Sequence, residues 1–391
     1  MPLRRIASVY VVLLICQCWP HQSLACGPVA EPAIIARFTV PTDGDAILLP
    51  VELKGKQYPF LLDTGASHIL YDSSLRSILG EPMCEVESAT PDGSRKIPVF
   101  LAPDARLGKM SLPIDSPVAS EELGPIRNAV GSDIRGVIGM AFLGKHVFRI
   151  DPDCGEMALL SSVGPDPGTR LPVSIDDGVP WVRVVIDGLD GAQDFIVDTG
   201  CGLSSGTLME ATWEALERAG RLKNAGETVA VTISQKSVKL WAQLDMIRLG
   251  SSVHRDLVFN KGRNNVLGLN FLLRYIVTFD LPHGALYLKK SRRFRAPDLV
   301  DESGLYIQRV GARVLIDLVA SGSPGALAGL RKGDVIISVG EEKAAAMRLH
   351  ALRMLLCRGG QRVDLCVQRG AEQKHVSLVL GDWRRHGTTQ R

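Results

Sequence analysis

Two short apolar runs, each followed by the same three residues, stand out in the hydrophobic pattern of the chain. Both runs end in Asp-Thr-Gly: Asp63, Thr64 and Gly65 follow residues 58–62, and Asp198, Thr199 and Gly200 follow residues 195–197. Unbroken apolar runs of this length are typical of buried strands, and glycine lets the chain turn sharply after them. The pattern therefore predicts two buried strands that each deliver a carboxylate to a turn.

The elements around these runs follow from the same reading. Alternating or apolar stretches predict strands, helical spacing predicts helices, and Gly, Pro and Asp clusters predict turns. On this basis we expect strands at residues 47–53, 84–88 and 97–101, a turn at residues 89–94, and helices at residues 71–79, 208–219 and 344–356. The fold class is therefore mostly β.

The second half of the chain repeats the first. Gly139, Phe142, Asp151 and Gly155 each have an identical residue exactly one period later, at Gly268, Phe271, Asp280 and Gly284 (268 − 139 = 129). The two motif aspartates are separated by nearly the same distance (198 − 63 = 135). An internal duplication of this length predicts two similar lobes that pair their motif loops across a pseudo-twofold axis.

Two carboxylates that face each other cannot both ionise, so they share one proton. One can then take a proton from water while the other protonates a carbonyl oxygen. The alternative is that Asp63 and Asp198 only cap buried turns, but the repeat argues against coincidence.

These motifs resemble those of the retropepsin-like aspartic peptidases. The resemblance implies a bilobal, pseudo-twofold acid-protease fold in which Asp63 and Asp198 are catalytic, while Thr64, Gly65, Thr199 and Gly200 support the loops. It also implies a flap over the substrate around Asp92 and Gly93, although an ordinary surface hairpin fits the sequence equally well. The triplet at residues 137–139 matches the apolar-apolar-Gly element that packs beside the catalytic loop in this family.

The second copy departs from the family pattern. Cys201 and Gly202 stand where a small residue and Ser or Thr are usual, and residues 228–241 carry no Gly or Pro at the hairpin tip. We therefore expect one functional flap, on the first lobe. The absence of a hydroxyl at Ala66 and Cys201 also leaves open a protease fold that is catalytically weak and only binds peptides.

A serine-hydrolase motif also occurs. Residues 202–206 fit G-x-S-x-G, with Ser204 as the nucleophile. That elbow requires the serine directly at a strand end, within an alternating βα pattern. Neither condition is met, so this interpretation is disfavoured.

The C-terminal part resembles a bacterial PDZ domain. Residues 323–336 match its signature, with Gly325 where Ala is common, and Gly304, Leu305, Tyr306 and Ile307 lie where the carboxylate-binding loop would be. The resemblance implies that a C-terminal peptide adds a strand beside the helix at residues 344–356. The alternative is a PDZ fold that only packs on the protease.

Composition and the N-terminus complete the sequence-based picture. A basic start, an apolar run too short to span a bilayer and a small-x-small site before Cys26 predict a signal peptide at residues 1–25. The mature protein is thus expected to be exported, periplasmic or extracellular, with lipidation of Cys26 left open. The predicted domains are a first lobe (26–163), a second lobe (164–290), a polar linker (291–303), a PDZ domain (304–384) and a tail (385–391).

The remaining predictions concern partners and cofactors. A net charge of +3 across 391 residues is too balanced to indicate nucleic acid, and no further stretch is long and apolar enough to span a membrane. No CxxC or HExxH spacing occurs, so we expect no metal, and a water nucleophile needs no cofactor. The expected partner is a polypeptide substrate. Cys357 and Cys366 are the favoured disulfide pair.

Overall fold

The computed structural model describes residues 32–90, 93–202, 204–232 and 236–381. It is mostly β and consists of two lobes related by a pseudo-twofold axis, followed by a smaller β domain. No helix in these ranges is long and apolar enough to cross a membrane.

The first lobe contains twelve of the described strands and three short helices. The strands are β1 (Ile34–Thr39), β2 (Leu48–Leu53), β3 (Lys56–Leu62), β4 (Leu70–Asp72), β5 (Cys84–Thr90), β6 (Gly93–Phe100), β7 (Ala105–Leu107), β8 (Met110–Ser111), β9 (Val118–Glu121), β10 (Gly136–Ile138), β11 (Val147–Asp151) and β12 (Glu156–Leu160). The helices are α1 (Arg76–Leu79), α2 (Gly124–Val130) and α3 (Met140–Leu143), and a 3₁₀ helix covers Ser73–Leu75.

The second lobe repeats this plan. Its described strands are β13 (Thr169–Pro172), β14 (Ser174–Asp176), β15 (Val179–Ile186), β16 (Ala192–Asp198), β17 (Gly206–Met209), β18 (Leu222–Val231), β19 (Lys236–Leu249), β20 (Ser252–Gly262), β21 (Val266–Gly268), β22 (Tyr275–Asp280) and β23 (Ala285–Lys290). Its helices are α4 (Glu210–Arg218) and α5 (Leu269–Leu272), with a 3₁₀ helix at Leu281–His283.

The C-terminal domain has a separate hydrophobic core. Its described strands are β24 (Leu305–Val310), β25 (Arg313–Val319), β26 (Val335–Val339), β27 (Glu342–Lys343), β28 (Arg362–Arg369) and β29 (Glu372–Val379), and its helices are α6 (Pro324–Leu327) and α7 (Leu349–Leu356). The main strand order is β24-β25-β26-β28-β29, so β24 ends the sheet.

A sheet shared by both lobes joins them, in the order β1-β12-β11-β22-β23-β13. Its central antiparallel ladder pairs Arg149 with Thr278, two positions that are one repeat apart (278 − 149 = 129). On either side the register is symmetric, and Phe148 stacks on Phe279 with ring centroids 4.4 Å apart. The pseudo-twofold axis predicted from the repeat therefore passes through this ladder.

Each lobe has its own sheet that carries one motif strand. In the first lobe β10 pairs in parallel with β3, and in the second lobe β21 pairs in parallel with β16. The motif strands β3 and β16 lie inside their sheets, and the apolar residues directly before Asp63 and Asp198 are buried. The predicted buried strands are thus formed in both lobes.

Two helices of the lobes, predicted at residues 71–79 and 208–219, begin later in the structure than the sequence predicts. Tyr71 and Asp72 belong to β4, because they pair with β9 and β10 on either side. Likewise Leu208 and Met209 extend β17 alongside β20. In each case sheet pairing overrides local helical spacing.

The predicted PDZ helix at residues 344–356 starts only at Leu349. The guanidinium of Arg309 on β24 donates to the carbonyls of Ala344, Ala345 and Met347. These carbonyls are therefore held in a turn and do not accept helical bonds.

Part of the predicted turn at residues 89–94 is strand. Strand β5 continues to Thr90 and β6 begins at Gly93, and these two residues face each other in the ladder. Residues 91 and 92 lie outside the described range.

The predicted disulfide between Cys357 and Cys366 is not formed. Cys366 lies within β28, between Ser338 and His375 of the neighbouring strands. Cys357 follows the last residue of α7. The pairing prediction was wrong because proximity in sequence did not bring the two side chains together.

The segment predicted as a linker is anchored to the second lobe. The side chain of Asp298 is buried, and its carboxylate accepts from four groups: Ser205 Oγ (2.7 Å), the Val258 N–H (2.7 Å), Asn270 Nδ2 (2.9 Å) and Arg274 Nη2 (2.5 Å). Residues 291–303 form no strand or helix, but this segment is part of the lobe's packing.

Candidate active site

The two Asp-Thr-Gly loops hold each other through reciprocal hydrogen bonds between their threonines. The Thr64 N–H donates to Thr199 Oγ1, and the Thr199 N–H donates to Thr64 Oγ1, both at 3.0 Å. The two hydroxyls donate onward to backbone carbonyls of the opposite strand, Thr64 to Val197 (2.6 Å) and Thr199 to Leu62 (2.9 Å). Both threonines are buried. This network fixes the distance between the lobes at the point where the aspartates emerge.

Each motif glycine lies against the carboxyl group of the opposite lobe. A Cβ at Gly65 would lie 2.5 Å from Asp198 Cγ, and a Cβ at Gly200 would lie 2.5 Å from Asp63 Cγ. The glycine N–H groups also donate to the carboxylates of their own loops, each at 2.8 Å. Glycine is therefore required here by close approach, and the spacing of the motif follows from the contact between loops.

The electrostatics of the pair favour one shared proton. Burial raises the pKa of Asp63 well above its usual range, and the negative charge of Asp198 raises it further. Burial also raises the pKa of Asp198, although hydrogen bonds from Asp63 and from backbone N–H groups oppose that shift. The two groups are hydrogen-bonded and titrate as a unit. The arrangement can therefore hold one acid and one base side by side.

The apolar-apolar-Gly elements support the loops from behind. In the first lobe, the Asp63 N–H donates to the Ile138 carbonyl (3.1 Å) and the Met140 N–H donates to the Ala66 carbonyl (2.8 Å). In the second lobe, the Leu269 N–H donates to the Cys201 carbonyl (2.7 Å). Residues 137–139 and their counterparts thus brace both loops.

The hairpin of β5 and β6 stands where the flap was expected. It joins the first lobe's sheet through β9, where Val99 faces Ala119 and Phe100 faces Val118. Gly93 is the first residue of β6, and Asp92 lies outside the described residues. The function of this hairpin as a flap stays a prediction.

The corresponding hairpin of the second lobe, β18 and β19, leans on the C-terminal domain. Lys236 at the start of β19 forms an ion pair with Asp317 of β25, and Asp317 is only 9% exposed. The side chains of Val229 and Trp241 line a cavity of about 150 Å³ beside Tyr306. The hairpin of the second lobe therefore contacts the C-terminal domain of the same chain.

Cys201 and Ser204 contribute differently from a catalytic hydroxyl. The backbone N–H of Cys201 donates to Asp198 Oδ1 (3.2 Å), while burial followed by the charges of the two aspartates raises the pKa of its thiol. The Ser204 hydroxyl donates to the Gly206 carbonyl (3.0 Å) and accepts from Asn260 (3.2 Å). Neither partner of Ser204 is a general base, which counts against the serine-hydrolase interpretation.

Gly304 and Leu305, two of the predicted PDZ loop donors, already have partners. The Gly304 N–H donates to Asp301 Oδ2 (2.6 Å), and the Leu305 N–H donates to Ser303 Oγ (3.1 Å). Tyr306 and Ile307 continue into β24. In β24 the Ile307 carbonyl accepts from Arg353 Nη2 of α7 (2.7 Å).

The sequence analysis missed Asp298 and Asp301. Asp298 accepts hydrogen bonds from the second lobe, and Asp301 accepts from Ser303 and Gly304 in its own loop. Their only sequence signal is their presence in an otherwise basic segment, which the linker interpretation passed over. The fold brings together the six motif residues at 63–65 and 198–200, and their roles stay predictions.

Parts of the chain are similar to known proteins. Residues 49–142 match the family model described as Aspartyl protease, and residues 315–369 match the one described as PDZ domain. Among solved structures, the aspartic proteinase from Irpex lacteus is 14% identical, with a TM-score of 0.41 over 67% of this chain and 100% of that chain. A search of curated proteins gives no significant match. The chain thus contains an aspartyl protease domain and, C-terminal to it, a PDZ domain.

Proposed function

We propose that this protein is an exported aspartic endopeptidase in which Asp63 and Asp198 activate water to hydrolyse peptide bonds. One observation carries the proposal: the reciprocal Thr64–Thr199 bonds hold two half-buried carboxyl groups against each other. Carboxyl groups with raised pKa values occur preferentially at functional sites. Such a pair can supply the acid and the base for the hydrolysis of a peptide bond.

The roles within the pair follow from the shared proton. Of Asp63 and Asp198, the carboxyl group that carries the proton donates it to the carbonyl oxygen of the scissile bond. The ionised partner accepts a proton from the attacking water. Water is the nucleophile, so the reaction requires no cofactor.

The PDZ domain is proposed to recognise the C-terminus of a polypeptide substrate through Gly304, Leu305, Tyr306 and Ile307. Export is proposed from the signal sequence at residues 1–25, which lies outside the described residues, as does Cys26, the position of a lipid anchor if one is present.

A second candidate is a protease fold that binds peptides and turns them over slowly. It is favoured by Cys201, because the second loop has no hydroxyl at that position to bond the outer carboxylate oxygen. Under this candidate the cleft binds a polypeptide with ordinary affinity while hydrolysis is slow.

The test is cleavage of an unstructured polypeptide by the purified protein in water enriched in ¹⁸O. An aspartic endopeptidase produces internal fragments whose new carboxyl groups carry ¹⁸O, and the Ser204→Ala variant cleaves as fast as the wild type. Binding of the polypeptide without fragments supports the second candidate. Loss of cleavage in Ser204→Ala, with the fold retained, contradicts the two-aspartate mechanism.

A further inference from the structure

The peptide groove of the PDZ domain lies against the first lobe. Its two walls are β24, whose outer edge has no strand neighbour among the described residues, and α7. Helix α2 of the first lobe packs against β24. Gly131, the residue that ends α2, meets the start of α7 so closely that a Cβ there would lie 2.6 Å from Leu349 Cβ. Helix α2 therefore lies at the end of the groove nearest the start of α7, and at the other end Val229 and Trp241 of the β18–β19 hairpin line a cavity with Tyr306.

The hydrogen-bonding groups that would receive a peptide are engaged within the chain. Asp301 Oδ2 accepts from the Gly304 N–H, and Asp301 Oδ1 accepts from the Ser303 N–H (3.3 Å) and hydroxyl (2.6 Å). Across the groove, Arg353 reaches the Ile307 carbonyl at the β24 edge. The loop thus already binds a carboxylate, which the chain itself supplies.

The docked position is fastened to both lobes. Arg348, which precedes α7, forms ion pairs with Asp43 and with Asp45 (3.0 Å) of the first lobe. Lys236 of the second lobe pairs with Asp317 of the PDZ domain. These contacts hold the groove against α2 from two sides.

We propose that helix α2 and the β18–β19 hairpin of the same chain cover the PDZ groove, and that a C-terminal peptide binds only when the PDZ domain moves away from them. This inference rests on the peptide recognition put forward above. An apparent affinity is reduced by the fraction of molecules whose site is open. A site that is open in at most about a tenth of molecules gains at least about tenfold in affinity when the contact is broken.

The proposal also connects the groove to the protease site. Along the chain, helix α2 connects β9, which pairs with the β5–β6 hairpin, to β10, which pairs with β3 beside the Asp63 loop. Asp72 of β4 holds the helix in place, because it accepts from the Leu123 N–H (3.0 Å) and pairs with Arg127 (2.6 Å). A peptide that lifts the PDZ domain off α2 therefore acts on an element that joins the hairpin to the catalytic loop.

A matched pair of glycine substitutions in the full-length protein tests the contact. Gly131 (φ +80°) and Gly220 (φ +64°) each lie at the C-terminal end of a helix, α2 and α4, with a positive φ that is unfavourable for Ala. Only at Gly131 does the added Cβ collide with the PDZ domain; at Gly220 nothing lies within 4 Å. Arg348→Ala is a second way to loosen the docking, with Arg362→Ala, which pairs within the PDZ domain, as its control.

Two measurements are made on each variant: hydrogen exchange of residues 124–131 and 305–310, and binding of a labelled peptide with a free apolar C-terminus. We expect Gly131→Ala and Arg348→Ala to speed exchange in both segments and to bind the peptide at least about tenfold more tightly, with wild-type values for the controls. Unchanged exchange in both variants, or faster exchange with unchanged peptide affinity, overturns the proposal. Faster exchange without any peptide binding would support the covered groove and instead contradict the proposed PDZ recognition.

Discussion

At the residue scale, the candidate site depends on how closely the two motif loops approach each other. Each motif glycine lies so close to the carboxyl group of the opposite loop that a methyl group there would collide with it. Each motif threonine donates a hydrogen bond to the other loop. The separation of the carboxyl groups is therefore set by backbone contacts, and small displacements there should be felt in catalysis.

Gly65→Ala tests this dependence. The added Cβ would lie 2.5 Å from Asp198 Cγ, so the loops must move apart, and a displacement of about 1 Å can cost about a hundredfold in rate. We expect kcat/KM for an unstructured peptide to fall by at least about a hundredfold. The matched control is Gly202→Ala in the second loop, where nothing lies within 4 Å. Equal activity of the two variants would contradict the close-approach account.

Asp63→Asn tests the cost of the carboxyl pair. The pKa of Asp63 is raised in the folded state by burial and then by Asp198, so the folded protein favours the protonated form. Its contribution to stability is present below the unfolded value of 3.8 and is lost as pH rises through the raised pKa. We expect the variant to have a higher Tm than the wild type at neutral pH, with a difference that shrinks as pH approaches 3.8. A Tm below that of the wild type at neutral pH would contradict these shifts.

At the element scale, helix α2 is short and depends on one buried carboxylate. Asp72 is 1% exposed and faces Arg127, Arg135 and the Leu123 N–H. Burial raises its pKa, but the bonds from Ser74 and Leu123 and the charge of Arg127 outweigh that effect and lower it overall. Asp72 is thus the link that ties α2 to the sheet of the first lobe.

Asp72→Ala should lower the free energy of unfolding by about 3 kcal/mol at pH 7, because it removes one partner of a buried ion pair. The stability that Asp72 contributes is present above the unfolded pKa of 3.8 and is lost as pH falls through its lowered pKa. The difference in urea unfolding between variant and wild type should therefore be smaller at pH 3 than at pH 7.

The matched control is Asp133→Ala. Its carboxylate pairs with the same two arginines but is 63% exposed, so its loss should cost less than about 1 kcal/mol. Equal losses in the two variants would show that burial of Asp72 is not what fastens α2.

Elements that are determined by local hydrophobic periodicity were predicted correctly from the sequence. Elements that are determined by pairing with a distant strand were predicted less well. The strands before Asp63 and Asp198 were identified because an apolar run and a glycine turn give one consistent signal. Tyr71 and Leu208 were placed in helices because their spacing is helical, whereas the sheets draw them into β4 and β17. Local pattern carries no information on which distant strand is available as a partner.

At the scale of the whole molecule, three units behave as one packed assembly. The shared sheet joins the lobes, Asp298 anchors the following segment, and Arg348 docks the PDZ domain. The duplication and the domain order could be read from sequence. The docking could not, because Arg348 and Asp43 are 305 residues apart and neither belongs to a recognisable motif.

Truncation tests the anchoring of residues 291–303. A chain ending after Ser303 keeps Asp298 and should cleave a short peptide. A chain ending after Lys290 leaves the Arg274 guanidinium, only 6% exposed, without its carboxylate, which should cost about 3–5 kcal/mol. We expect a clearly lower urea midpoint for the shorter chain. Equal midpoints would mean that the segment is only a spacer.

The most direct test of the two-aspartate site is the kcat/KM for peptide cleavage by Asp63→Asn, Asp198→Asn and the double variant. Since one group supplies the acid and the other the base in the same step, each single variant should lose at least about a thousandfold, and the double variant little more. Circular dichroism should confirm that all three are folded. Wild-type cleavage by either single variant would contradict the account.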